Sequence, residues 1–408
     1  MSNFDNNPVV QGIDLIALAA QFGTPLYVYD GSVIRRQVQT LRDVFSGTDL
    51  RIKFACKANT NLAILRLMRE LGVGLDVVSL QEFKLAEMAG FTAGEVTYTP
   101  SGADFAEIAE AIEAGLTLNA DSIPLLRWFG ERFGSSKPCM IRLKPNVAAG
   151  GNAKIMTAHA ESKFGISVLL MDEILEVVRQ YDIKITGLHQ HTGSDIKDAE
   201  PFLQVAEVVF NAAANFPDLE VIDLGGGFKV SYRPDDAVTD MQLLGRKISD
   251  RFNEFCQSYG RKLNLWVEPG KFLVSECGTL LVKTTVVKED PAKTFAHVDS
   301  GLNHLIRPMM YGSYHHILNL SNPAGDLKLY NVVGYICETD NFAEDRMLNE
   351  IRPGDVLAFK NAGAYGFSMS SNYNSRFRPA EVLIDGGVAR LVRRRETLED
   401  LVATQTGF

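Results

Sequence analysis

The sequence predicts an α/β protein: a (β/α)8 TIM-type barrel followed by a C-terminal β-rich domain of the β-barrel or sandwich kind. Three observations predict it. Between about residue 50 and residue 270, eight short apolar runs alternate with helical patterns. The runs are apolar on both faces, as parallel strands covered by helices must be. After Gly270 the text turns β-rich, with Val, Ile, Thr and Tyr enriched and little helix between runs.

Taken in order, PLYVYD (25–30) reads as a first strand that could join the C-terminal sheet or run into the barrel. The barrel runs are RIKFACK (51–57), GLDVVS (74–79), EVTYTP (95–100), LTLNA (116–120), CMIRLKP (139–145), KITGLHQH (184–191), EVIDLGG (220–226) and LNLWVEP (263–269). Eight strands over about 220 residues approach the roughly 250 typical of a closed barrel. An open doubly wound sheet is the structural alternative. Helical patterns include 61–72, 201–216 and 241–260, with Gly72, Gly90 and Gly260 where C-terminal caps belong. The later runs are TLLVKTTVVKED, KTFAHVDSGL, LKLYNVVGYICE, DVLAFKNAGAY and AEVLIDGGVARLV. The expected division is a barrel over 31–275 and a β domain made of 1–30 plus 276–408.

Composition narrows the function. The net charge is −9 and no Lys/Arg stripe is present, which argues against a nucleic-acid partner. No apolar run approaches the roughly 20 residues of a membrane helix, so no membrane partner is expected. The start, MSNFDNNPVV, has neither the basic nor the apolar region of a signal peptide. Five scattered cysteines without a C-x-x-C pair argue against disulfides or a zinc ribbon and fit a reducing cytoplasm.

Barrel enzymes carry chemistry at the C-terminal ends of their strands. Those ends hold Lys57, Asp76 with Ser79, Arg142 with Lys144, His189 with His191 and Ser194, Gly225-Gly226-Gly227, and Glu268. Lys57 could snorkel to solvent, or serve as a desolvated Schiff-base amine. Ser79 with Glu82 matches a helix capping box. H-Q-H at 189–191 reads as a metal pair, or as one core and one working histidine. Metal loses support because no third ligand is obvious nearby. The H-T-G-S continuation offers N–H and hydroxyl groups to an anion. In D-L-G-G-G-F (223–228), three glycines after the seventh strand let backbone N–H groups approach a phosphate. In W-V-E-P-G-K-F (266–272), Glu268 and Lys271 could form a surface ion pair. Alternatively, a carboxylate ending the eighth strand could meet a pyridinium nitrogen. Together these parts are what pyridoxal phosphate requires.

FACKAN, DVVS, SKFGI, HTGS, DLGGGF, EPGK, IRPMMYGSYHHI, CETD and GAYGFSMSSNYNSRFRPAEV, in that order, resemble the fold-type III pyridoxal-phosphate decarboxylases. The resemblance spans PLYVYD to LVRRRETLEDL, and its last three motifs are the specific ones. It implies pyridoxal 5'-phosphate as cofactor, no metal, and a homodimer with two shared active sites to which the β domain contributes. Lys57 would hold the cofactor as a Schiff base, with Asp76 near it. His191 would stack on the ring. Ser194, Gly225, Gly226, Gly227 and Gly270 would surround the phosphate. Tyr365 would give its hydroxyl to the phosphate and lie near substrate. Glu268 would bind the pyridinium nitrogen. Arg307 and Tyr311 would bind a substrate carboxylate. Glu338 and Cys337 would reach in from the other subunit, Glu338 to a distal ammonium and Cys337 as proton donor.

The implied reaction is decarboxylation of meso-2,6-diaminopimelate to L-lysine and CO2. The alternative is a related decarboxylase acting on ornithine, D-lysine or carboxynorspermidine. A non-enzymatic homologue would be expected to lack Lys57 or Cys337, and both are present. One position departs: the family has E-P-G-R where this chain has Lys271, which keeps the charge and loses the bidentate fork. Lys271 is still expected to meet a substrate carboxylate. The glycine-containing stretch 145–165 is the candidate lid.

Overall fold

The computed structural model describes residues 7–146 and 162–407. Most of the candidate lid, 147–161, lies outside the described residues. The chain divides into two compact units. One comprises 37–230 with 237–272, the other 1–36, 231–236 and 273–408.

The first unit is built on eight parallel strands: Leu50–Ala55, Gly74–Val77, Val96–Tyr98, Thr117–Ala120, Pro138–Lys144, Lys184–His189, Val221–Asp223 and Asn264–Val267. Each pairs with the next, and the eighth returns to the first through Leu265↔Leu50, Trp266↔Arg51 and Val267↔Ile52. That closure excludes the open doubly wound sheet. The strands tolerate enclosure on both faces because most of their residues are apolar, with buried polar side chains such as Asp76, Asn119, Arg142, His189 and Asp223 among them. Phe54, Leu75, Val77, Leu118, Ile141, Leu188, Ile222 and Leu265 are fully buried. Each such side chain contributes about 1.5–3 kcal/mol relative to exposure.

Helices fill the gaps and end where local chemistry stops them. Asn61 caps Leu62–Glu70 by accepting the Ala63 N–H at 2.9 Å. Asp240 caps Met241–Tyr259, which ends on left-handed Gly260. The Ser79 hydroxyl accepts the Glu82 N–H at 3.2 Å, as the capping box requires. The Glu82 carboxylate reaches back one residue further than expected and accepts the Val78 N–H at 2.9 Å. Such a cap is worth about 1 kcal/mol.

The second unit is a mixed sheet in the order Asn341–Asn349, Leu327–Val333, Thr294–Val298, Gly278–Glu289, Leu26–Asp30, Ala380–Asp385, Val388–Arg393. Val356–Phe359 bridges Gly278–Glu289 to Ile317–Asn319. The strand at 26–30, whose home the sequence left open, belongs here. It is antiparallel to Gly278–Glu289 and parallel to Ala380–Asp385. It tolerates a central place because Leu26, Tyr27, Val28 and Tyr29 are all buried. The two tyrosines satisfy their tips: the Tyr27 hydroxyl donates to the His304 carbonyl at 2.6 Å, and that of Tyr29 to Glu381 at 2.7 Å.

The run LKLYNVVGYICE does not continue as a strand to Cys337. It stops at Val333. The Asp340 carboxylate captures the N–H groups of Ile336 at 2.9 Å and Leu302 at 2.6 Å and turns the chain. Gly334 leaves room for that carboxylate, since a Cβ there would meet Asp340 Oδ2 at 2.1 Å. Cys337 and Glu338 are therefore exposed on a loop rather than buried as strand residues.

Candidate active site

Within the barrel unit, the predicted residues gather at the C-terminal strand ends. Lys57 sits in a single 3-10 turn, Cys56–Ala58, directly after the first strand. It is exposed between two buried neighbours. Asp76 lies on the second strand and accepts the Thr99 hydroxyl at 2.8 Å. Burial first, then the charge of Glu268, pushes its carboxyl up to about 8, against the pull of Lys57.

Glu268 follows the eighth strand by one residue and is 6% exposed. Its Oε2 lies 2.8 Å from His189 Nε2, while Oε1 has no partner. Burial alone would raise its pKa. The His189 hydrogen bond and the charge of Lys57 oppose burial and hold the carboxylate ionised, below its usual range. Asp223, at the end of the seventh strand, is fully buried and accepts the Gly225 N–H at 2.8 Å. Burial, then Glu268, holds its carboxyl well above the usual range, so Asp223 keeps its proton.

H-Q-H does have potential further ligands close by, contrary to the expectation from its sequence. His189, Asp223 and Glu268 present atoms within 4.8 Å of one another. The second histidine, His191, is not part of that group. A hydrogen bond from His189 Nε2 to Glu268 already joins two of the three.

His191 turns its Nδ1 to the Gly226 N–H at 3.2 Å, so that nitrogen carries the lone pair. Burial, then Lys57 and Arg142, keeps the ring neutral. The glycine run is a tight fit. A Cβ on Gly225 would meet the Gln190 carbonyl at 2.5 Å, one on Gly226 the Glu268 carbonyl at 2.4 Å, and one on Gly227 the Gly193 carbonyl at 2.2 Å. Gly225 and Gly227 also have positive φ. The H-T-G-S and D-L-G-G-G loops are thus packed backbone to backbone, joined by the Ile196 N–H to the Gly227 carbonyl at 3.0 Å. Ser194, half-buried, lies in the first of these loops, and Gly270 is buried after the eighth strand.

The Lys271 side chain is 8% exposed, and its ammonium lies 2.6 Å from Asp195 Oδ1. The surface ion pair with Glu268 is absent: Glu268 faces His189, and Lys271 faces Asp195.

Within the second unit, Arg307 opens the short helix Arg307–Tyr311 and is 6% exposed. Its guanidinium stands 5.0 Å over the Tyr232 ring. Nη1 lies 3.2 Å from His315 Nε2, and His315 Nδ1 lies 2.9 Å from the Lys360 carbonyl. A carbonyl only accepts, so Nδ1 carries the proton and Nε2 accepts from Arg307. Tyr311 is half-buried, and Tyr365 holds a left-handed φ of 55°. The Asn374 amide donates to Cys337 Sγ at 3.2 Å, and the Tyr373 hydroxyl to Glu338 at 3.0 Å.

The sequence reading missed Asp223 and His189 as neighbours of Glu268, Asp195 as the partner of Lys271, and His315 behind Arg307. The first two carried a signal, since both sit in motifs singled out for other residues.

A family model described as "Pyridoxal-dependent decarboxylase, pyridoxal binding domain" matches residues 31–275. The chain is 40% identical to a diaminopimelate decarboxylase of Methanothermobacter thermautotrophicus, over 97% of this chain and 95% of the relative. It is 35% identical to that of Escherichia coli K12, over 99% of each. Among solved structures, the Helicobacter pylori diaminopimelate decarboxylase complexed with L-lysine matches with a TM-score of 0.87 at 31% identity. That match covers 96% of this chain and 98% of the other.

Proposed function

The chain belongs to the pyridoxal-dependent decarboxylase family, and within it we propose that it converts meso-2,6-diaminopimelate to L-lysine and CO2 with pyridoxal 5'-phosphate as cofactor. The observation that carries the reading is Glu268, a buried, ionised carboxylate with one oxygen unpartnered. Beside it runs the Gly225-Gly226-Gly227 loop, packed so closely on neighbouring backbone that only glycine fits, which leaves its N–H groups unshielded by side chains. A cationic ring nitrogen on one side and a phosphate on the other are the chemistry those two features suit. The residues present therefore fit the cofactor.

Lys57 would hold the cofactor through its amine, with Asp76 beside it. Glu268 would keep a proton on the ring nitrogen, and His191 would offer its ring face. Gly225, Gly226, Gly227, Ser194, Gly270 and Tyr365 would bind the phosphate. When bound, the cofactor supplies an electron sink for the pair left on carbon as CO2 departs. Arg307, held by His315 and Tyr232, would bind a substrate carboxylate with Tyr311, and its guanidinium suits that task. Lys271 would share it only by dividing its charge with Asp195. Cys337 would then hand its thiol proton to the carbon that lost CO2, leaving a thiolate. Glu338 would meet the distal ammonium.

Cys337 and Glu338 are exposed on their own chain. That exposure supports a homodimer in which they complete the partner's site. Five free cysteines support a reducing cytoplasm. The test is CO2 release from the holoenzyme with meso-diaminopimelate, ornithine, D-lysine and carboxynorspermidine. Diaminopimelate should be turned over fastest and give L-lysine. Faster turnover of a substrate without a second carboxylate would refute the reading.

A further inference from the structure

His189 is the one histidine of H-Q-H that the mechanism above leaves without a task. It is 1% exposed, and its Nε2 is committed to Glu268 at 2.8 Å. Its Nδ1 is buried and has no partner. That asymmetry fixes its state. A cationic ring would strand an N–H donor and a charge in the interior, whereas a neutral ring with the proton on Nε2 strands only a weak acceptor. His189 is therefore a neutral donor to Glu268. On the other flank stands Asp223, fully buried, its carboxyl kept protonated by burial, by the charge of Glu268 and by a side-chain hydrogen bond to it.

We propose that His189, with protonated Asp223, is a positioning residue: it keeps Glu268 ionised and leaves the second oxygen of Glu268 open to the ring nitrogen of the cofactor. The inference rests on the reading of Glu268 given above and deepens it. Two acids so close cannot both ionise, and the hydrogen bond decides which one does. Glu268 receives the imidazole N–H and takes the charge. Asp223 accepts the backbone N–H of Gly225 but no imidazole donor, and its side-chain hydrogen bond with Glu268 favours its neutral form. The other charged or titratable groups that act on Glu268 or feel it are His191, Lys57, Lys53, Asp76 and Arg142. Among these the cations Lys57, Lys53 and Arg142 act on the carboxylate through space.

The test uses holoenzyme loaded with pyridoxal phosphate labelled with 15N at the ring nitrogen, whose chemical shift reports protonation directly. The wild-type ring should stay protonated from pH 6 to 9. In His189→Leu the ring should lose its proton at a pH at least one unit lower. His189→Gln, whose amide can donate, should restore most of the difference. A His189→Leu ring that titrates as wild type would overturn the proposal. Glu268→Gln separates the two levels. If it also leaves the ring protonated, the reading of Glu268 fails and this inference with it. If it deprotonates the ring while His189→Leu does not, only the inference fails. Should the Leu variant not fold, the wild type labelled with 15N-histidine still decides, with His189 assigned through His189→Gln. A neutral ring protonated on Nε2 across pH 6 to 9 supports the proposal, and a cation or an Nδ1–H form overturns it.

Discussion

Replacing Lys271 by Met keeps the apolar stem and removes the ammonium, which isolates the charge. At the observed 2.6 Å from Asp195 Oδ1, two unit charges attract by about 6 kcal/mol at an effective dielectric of 20. The net worth is smaller. The lysine side chain is 8% exposed and has given up most of its hydration, while Asp195, at 25%, keeps part of its own. Removing one member of an enclosed pair costs about 3–5 kcal/mol. Asp195 can rehydrate, so Lys271→Met should cost about 2 kcal/mol, below that range. Asp195→Asn strands the more buried charge and should cost about 3 kcal/mol by the same reasoning. The double variant should then fall short of the sum by about 2 kcal/mol. Urea unfolding followed by tryptophan fluorescence measures this in the right place, because Trp128 and Trp266 both lie in the barrel unit. Michaelis constants for diaminopimelate are measured in parallel and should rise less than about threefold for Lys271→Met, a loss of under about 1 kcal/mol. Additive losses in the cycle would refute the pairing argument. A tenfold rise in the Michaelis constant with unchanged stability would show that the ammonium serves the substrate instead.

Three further outcomes follow from the geometry. Gly226→Ala should weaken cofactor binding at least tenfold by equilibrium dialysis, since its Cβ would stand 2.4 Å from the Glu268 carbonyl; unchanged affinity would dissociate the glycine cradle from the phosphate. Cys337→Ala should cut turnover while leaving the melting temperature unaltered, because the side chain is exposed; full activity would remove Cys337 as proton donor. Buried histidines and the buried Asp76 should act oppositely on stability as pH changes in the apoprotein. Burial, with Arg-derived charge for His315, depresses His304 to about 4 and His315 to about 3. Their contribution to stability is present above about pH 6.5 and lost as pH falls through the folded values, by at most about 1.4 kcal/mol per pH unit each. Asp76, raised to about 8, does the reverse: its contribution is present below the unfolded value and is lost as pH rises towards 8. The buried, neutral His189 and His191 of the same unit act in the other sense near pH 6.5, so the comparison is with Asp76→Asn. Wild-type urea midpoints should fall relative to the variant's from pH 6 to 8, and parallel profiles would contradict the buried, protonated Asp76.

The barrel was legible because parallel strands buried on both faces must be apolar along their length, and that leaves a trace in each run. The caps at Ser79, Gly90 and Gly260 were legible for a similar reason, since one residue does the work locally. The home of Leu26–Asp30 was not. Its partners lie about 250 and 350 residues further on, and nothing in a five-residue apolar run names them. Cys337 misled for a different reason. GYIC has strand chemistry, and the turn that breaks it is made by a carboxylate three residues later, at Asp340.

The polar interior of the barrel shows why the site was only half legible. A strand-end residue announces its type but not its protonation state. Asp76, Asp223 and Glu268 look alike in sequence, and the structure makes them unlike by their donors. Asp76 has a hydroxyl, Asp223 a backbone N–H, and Glu268 an imidazole. With burial nearly equal among them, the donor and the neighbouring charges decide which one ionises. A site meant to keep a ring nitrogen protonated needs one fixed negative charge there and no second one, because a second would repel the first and raise its pKa. Two neutral acids around one carboxylate meet that need. The His189 hydrogen bond is the feature that breaks the symmetry, which is why the fate of the ring proton in His189→Leu bears on the whole barrel and not on one side chain.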